Sequence, residues 1–175
     1  MKRTGRWVGL TITVCLCILY LTGALKGLDH WLLDVFFLSR NTPQASDRVV
    51  VVAIDDQSLQ EFGKWPWSRE LIAEIISRLS QLQPAVIALD ILLTDPGEPQ
   101  EDRALGTAIA TAGNVLLSAH CASIQTMNGL LLGQDWSLPL ESLAKDALGT
   151  GHIVIIPEST QVTRRLPTRL LADNR

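Results

Sequence analysis

The sequence predicts an α/β domain: a mostly parallel sheet with helices on both faces, preceded by an N-terminal transmembrane helix. Three observations carry this. Residues 7–25 contain no charged side chain, while Lys2, Arg3 and Arg6 stand just before them. An unbroken apolar run at 49–54 and a second apolar stretch at 85–91, interrupted only by Asp90, flank a segment with helical spacing at 69–82. Strand-like and helix-like segments then keep alternating, as they do in layered α/β proteins.

The uncharged run 7–25 has the length a helix needs to cross a bilayer at about 1.5 Å per residue. The cations before it outnumber the single Lys26 after it, which places the N-terminus in the cytoplasm. A cleaved signal peptide is the alternative, with Thr22-Gly23-Ala24 as a small-residue site, although the apolar run exceeds the usual ~7–15 residues. The expected organisation is therefore residues 1–28 as cytoplasmic N-terminus and signal-anchor, and residues 29–175 as an extracytoplasmic domain.

Composition narrows the class. A chain of 175 residues with 47% hydrophobic and 19% charged residues can bury a core, unlike a solvating polypeptide. Its net charge of −3 lacks the basic face of a nucleic-acid binder. Residues 1–28 hold four of the 15 basic residues and none of the 18 acidic ones, so the remainder carries a formal −7. That balance suits a cationic, metal or neutral ligand better than a polyanion, and equally serves solubility. Cys15 and Cys17 lie in the apolar run, leaving Cys121 without an intramolecular partner outside it.

Residues 49–54 (Val-Val-Val-Val-Ala-Ile) read as a strand buried on both faces. Ser68 can cap a helix over 69–82, with Leu71, Ile72, Ile75, Ile76 and Leu79 on one face. After Pro84, residues 85–91 form the second strand of a right-handed βαβ unit. Residues 101–112 give a second helix stopped by Gly113, and 115–119 a third strand. Residues 121–138 fit a loop or short hairpin, 139–148 a third helix, and 152–156 a fourth strand entered through Gly149 and Gly151. Nothing follows to cover the sheet, so the domain is expected to be incomplete at its C-terminus.

In parallel α/β sheets ligands gather at the carboxyl ends of the strands. Asp55 and Asp56 end the first predicted strand and Asp90 the second. These acids can hold a divalent cation or an amine, or can simply cap helix N-termini. Trp65-Pro66-Trp67-Ser68-Arg69 forms an amphipathic corner. Arg69 can pair with Asp55, Asp56 or a ligand carboxylate, or the two indoles can act as a plug seating the helix on the sheet. His30, His120 and His152 have no nucleophile partner at a recognisable spacing, and His152 reads as a hydrogen-bonded core histidine. No catalytic set and no cofactor motif are expected.

The residues taken together resemble the CHASE type 2 domain. The resemblance is carried by Asp34, Arg40, Val-Val-Val-Ala-Ile-Asp-Asp-Gln-Ser-Leu at 50–59, Phe62-Gly63, and Trp65, Pro66, Trp67, Ser68 and Arg69. It continues through Pro84, Asp90-Ile91, Gly151-His152 and Arg164-Arg165-Leu166-Pro167, spanning roughly residues 29–170. The sequence departs at 157–161, where Pro-Glu-Ser-Thr-Gln replaces an acidic, Gly-containing turn. The resemblance implies a sensory domain of bacterial receptors, outside the cytoplasm and anchored by an N-terminal span; this chain is expected to sit in the inner membrane by a single pass. Further spans and a cyclase or kinase effector normally follow, and they are not found before Arg175. Expected partners are the membrane, an unknown small-molecule or ion ligand, and a second copy or a full-length relative; nucleic acid is not expected. Two alternatives from other classes are an exported metal-dependent hydrolase using Asp55, Asp56 and Asp90, and a non-signalling, membrane-anchored interaction protein.

Overall fold

A computed structural model of the chain describes residues 2–24, 26–41, 46–156, 163 and 166–172. They divide into two compact units, residues 1–53 and 54–175.

The first unit contains α1 (Lys2–Leu21) and α2 (Lys26–Ser39). The expected transmembrane helix over 7–25 is overturned. The uncharged run does not form one helix: α1 ends at Leu21 and residues 22–24 turn, with Gly23 at φ 71°. The uncharged part of α1, residues 7–21, covers roughly 22 Å, against a hydrocarbon core of ~30 Å. Among the described residues no helix is long and apolar enough to cross a membrane.

The end of this unit brings a second correction. Residues 49–54, expected as a doubly buried strand, form no strand and pair with nothing among the described residues. Val50 and Val51 are 82% and 83% exposed. A β-branched run favours extended backbone, but becomes a strand only where a partner accepts its hydrogen bonds.

The second unit holds α3 (Asp56–Phe62), α4 (Arg69–Gln81), β1 (Ile87–Leu89), α5 (Pro99–Ala112), β2 (Val115–Met127), β3 (Leu130–Ser137), α6 (Glu141–Ala144), β4 (Gly149–His152) and β5 (Leu171–Ala172). α4 is the helix the apolar spacing predicts, buried through Ile72, Ala73 and Ile76. α5 stops at Gly113, whose φ of 70° only glycine adopts without strain. The third predicted helix shrinks to the single turn of α6.

The sheet is mixed, in the order β1-β2-β3-β5, with β4 on β2. β1 and β4 run parallel to the first half of β2, while β3 folds back antiparallel on its second half. The hairpin turns at Asn128-Gly129, both at positive φ (51° and 78°), as a two-residue turn requires. α4, α5 and α6 all contribute to one core with Ile87, Val115 and Leu117. Ile87 stands opposite Val115 in the register, so these residues share one face. The expected helical layer on both faces is therefore corrected: the helices with buried residues serve one face, and Ala88 on the other is exposed.

Candidate functional site

Side-chain hydrogen bonds tie the N-terminus of α4 to α5 and to the loop after β1. Four N–H groups at a helix start have no intrahelical acceptor and must find one elsewhere. Ser68 Oγ accepts from the Leu71 N–H at 3.3 Å, and Glu101 Oε2, from the first turn of α5, accepts from the Arg69 N–H at 2.9 Å. The Arg69 guanidinium donates to the Asp102 carboxylate and to the Asp95 carbonyl. The second Asp102 oxygen accepts from the Gly97 N–H at 3.1 Å. Gly97 leaves room for this: a Cβ there would lie 3.1 Å from Arg69 Nε. Arg69 and Asp102 are 13% and 18% exposed, so the pair sits in a medium where charge attraction is less screened than at the surface.

In front of this clamp lies the aromatic corner. The Trp65–Pro66 peptide is cis. Trp67 is buried and its indole N–H donates to the Gly63 carbonyl at 2.9 Å. Trp65 and Phe62 meet Trp67 edge-to-face, with centroids 5.9 and 5.5 Å away. Such pairs contribute about 0.5–1.5 kcal/mol beyond area burial.

The predicted acids fall in separate places. Asp55 is the N-cap of α3, accepting from the Ser58 N–H at 2.9 Å and the Ser58 hydroxyl at 2.7 Å. Those bonds, the backbone one first, hold its carboxyl below the ordinary aspartate value. Asp56 opens the first turn of α3, and Asp90 follows β1 at an exposed position. Among the described residues no group of three or more His, Cys, Asp or Glu is placed to hold a metal ion, so the acids of the hydrolase alternative do not gather into such a centre. The structure pairs Arg69 with Asp102, an acid the sequence reading did not single out and which lies 33 positions away.

His152 closes β4 opposite Ala119 of β2. Its Nδ1 is buried with no hydrogen-bond partner among the described residues, which differs from the hydrogen-bonded core histidine the sequence suggests. Arg164 and Arg165 lie outside the described residues. Also unforeseen is the close approach at Gly133, where a Cβ would stand 2.5 Å from the Trp136 ring and 3.0 Å from Cys121 Sγ. The Trp136 indole donates to the Gly133 carbonyl at 2.8 Å, locking the hairpin beside the buried Cys121.

The clamped start of α4 and the separated acids stand beside one comparison with known families. The CHASE2 domain model matches residues 11–174, nearly the whole chain, beginning inside α1. The protein belongs to the CHASE2 family, the extracytoplasmic sensory domains of signalling receptors. No curated protein and no solved structure matches the chain.

Proposed function

We propose that this chain senses a small molecule or ion outside the cytoplasm of a bacterium and biases a signalling effector, a kinase or cyclase. The observation that supports the reading is the family match over residues 11–174. In this reading the ligand meets the Asp55–Asp56 pair at the start of α3 or Asp90 after β1, and the Arg69–Asp102 clamp holds the Asp95–Gly97 loop in one of two arrangements. A sensor needs such an element, because a ligand shifts an equilibrium only by binding its two states unequally. Association with a second copy or with a full-length relative is the interaction this reading calls for.

The test is thermal unfolding of the whole chain against calcium, magnesium, diamines and small carboxylic acids. A ligand at a hundred times its Kd stabilises by about 2.7 kcal/mol. We expect one class to raise Tm and the combined Asp55→Asn, Asp56→Asn, Asp90→Asn variant to lose that rise while melting normally without ligand. A Tm unmoved by every member of the panel counts against sensing of these classes at these acids.

A further inference from the structure

α5 faces the α6 segment across a groove of about 590 Å³. That volume is within the range of small-molecule sites. Gly106 lines it where α5 comes close to the α6 segment: a Cβ there would touch Leu143 Cδ2 at 3.7 Å and the Ser142 carbonyl at 3.8 Å. Ala110, one turn further along α5, keeps the same wall low. Hydroxyls line the space. Thr107 donates its proton to the Arg103 carbonyl at 2.8 Å, which leaves the oxygen lone pairs to accept, and Ser142 stands on the facing segment.

The groove also carries both signs of charge. Arg103 on α5 uses only Nε, on the Pro99 carbonyl at 2.9 Å. Among the described residues its two terminal nitrogens donate to nothing, and they form the planar fork that suits a carboxylate. Asp146, beyond α6, has its carboxylate 3.9 Å from Lys145 Nζ, at the outer limit of an ion pair and 38% exposed. Asp102, also on the wall, is already occupied by Arg69 and the Gly97 N–H. A purely anionic ligand would face Asp146, and a purely cationic one would face Arg103 and Lys145.

We propose that this groove binds a small zwitterion of the amino-acid class, with its carboxylate on Arg103, its ammonium on Asp146 and its polar side chain among the Thr107 and Ser142 hydroxyls. The inference rests on the sensory reading above and gives it a ligand class, at a place separate from Asp55, Asp56 and Asp90. Asp102 belongs to both the groove wall and the Arg69 clamp, so occupancy of one bears on the other.

The experiment is amide chemical-shift mapping of the whole chain titrated with L-serine and with L-glutamine. The N-acetyl form of each, which lacks the ammonium, and the methyl ester of each, which lacks the carboxylate, are the controls. We expect one amino acid to shift α5 and α6 amides saturably at about 1 mM or below, with each matching blocked derivative weaker by roughly tenfold or more. Arg103→Gln and the groove-filling Ala110→Leu should both lose the response while melting like the parent. The proposal is overturned if neither amino acid shifts an α5 or α6 amide by about 20 mM, if the acetylated or esterified form binds as tightly, or if Ala110→Leu binds unchanged. Should the groove fail while calcium or a diamine still raises Tm through the aspartates, the sensory reading stands and only this site falls.

Discussion

Two apolar runs, 49–54 and 115–119, look alike in sequence and end differently. The first is the more strand-like, four valines followed by Ala-Ile, yet it lies exposed and pairs with nothing among the described residues. The second is less β-branched, Val-Leu-Leu-Ser-Ala, yet Val115 is fully buried and β2 pairs with β1, β3 and β4. What separates them is supply of partners. Residues 115–119 follow a helix that returns the chain beside β1, and they continue into a hairpin that brings β3 alongside. Propensity selects extended backbone; neighbours that accept its hydrogen bonds and cover its side chains decide whether it becomes a buried strand.

The largest expected effect tests that contrast directly. Ile109→Ala, at a fully buried position of the shared core, should cost about 3 kcal/mol in urea unfolding. Val51→Ala should change stability by no more than about 0.5 kcal/mol. Equal losses at the two sites would mean that the valine run is packed as tightly as the core.

The clamp comes next. Arg69→Ala leaves Asp102 partly buried without its cation and should cost about 2 kcal/mol, discounted from a fully buried pair because both side chains keep some solvent. A double-mutant cycle with Asp102→Asn measures the coupling, and near-zero coupling would show the pair to be incidental. Ser68→Ala removes one α4 cap and should cost about 1 kcal/mol, since Glu101 still holds the Arg69 N–H.

The smallest effect is at α3, whose cap is exposed. Asp55 has its folded-state pKa lowered, so its contribution is complete above the ordinary aspartate value and disappears as pH falls through the lowered one. Protection factors of the α3 amides, with the intrinsic pH dependence of exchange divided out, should therefore fall in acid. Asp55→Asn should flatten that acid response.

Much of the second unit is legible in the sequence because its signals are local. Ser68 ahead of a 3.6-residue apolar period marks α4, and Gly113 marks the end of α5. The hairpin signal, Asn128-Gly129, is also present, but alternation around it is weak and the segment reads equally as a loop. Residues 7–25 mislead because an uncharged run reports composition, not continuity, and the chain turns at Gly23. At the candidate site, the Ser68 cap could be read directly. The Arg69–Asp102 pair could not, because α4, β1 and the following loop must fold before those side chains meet.

The edge-to-face indoles of Trp65 and Trp67 give the molecule a built-in optical reporter. Two such chromophores 5.9 Å apart, fixed in a chiral setting at the entry to α4, couple their transitions. The exciton couplet expected from such a pair in circular dichroism depends on the angle between the rings, here 61°. Motion at the start of this helix therefore becomes visible in unlabelled protein as a change of colour response, measurable while a ligand is being added.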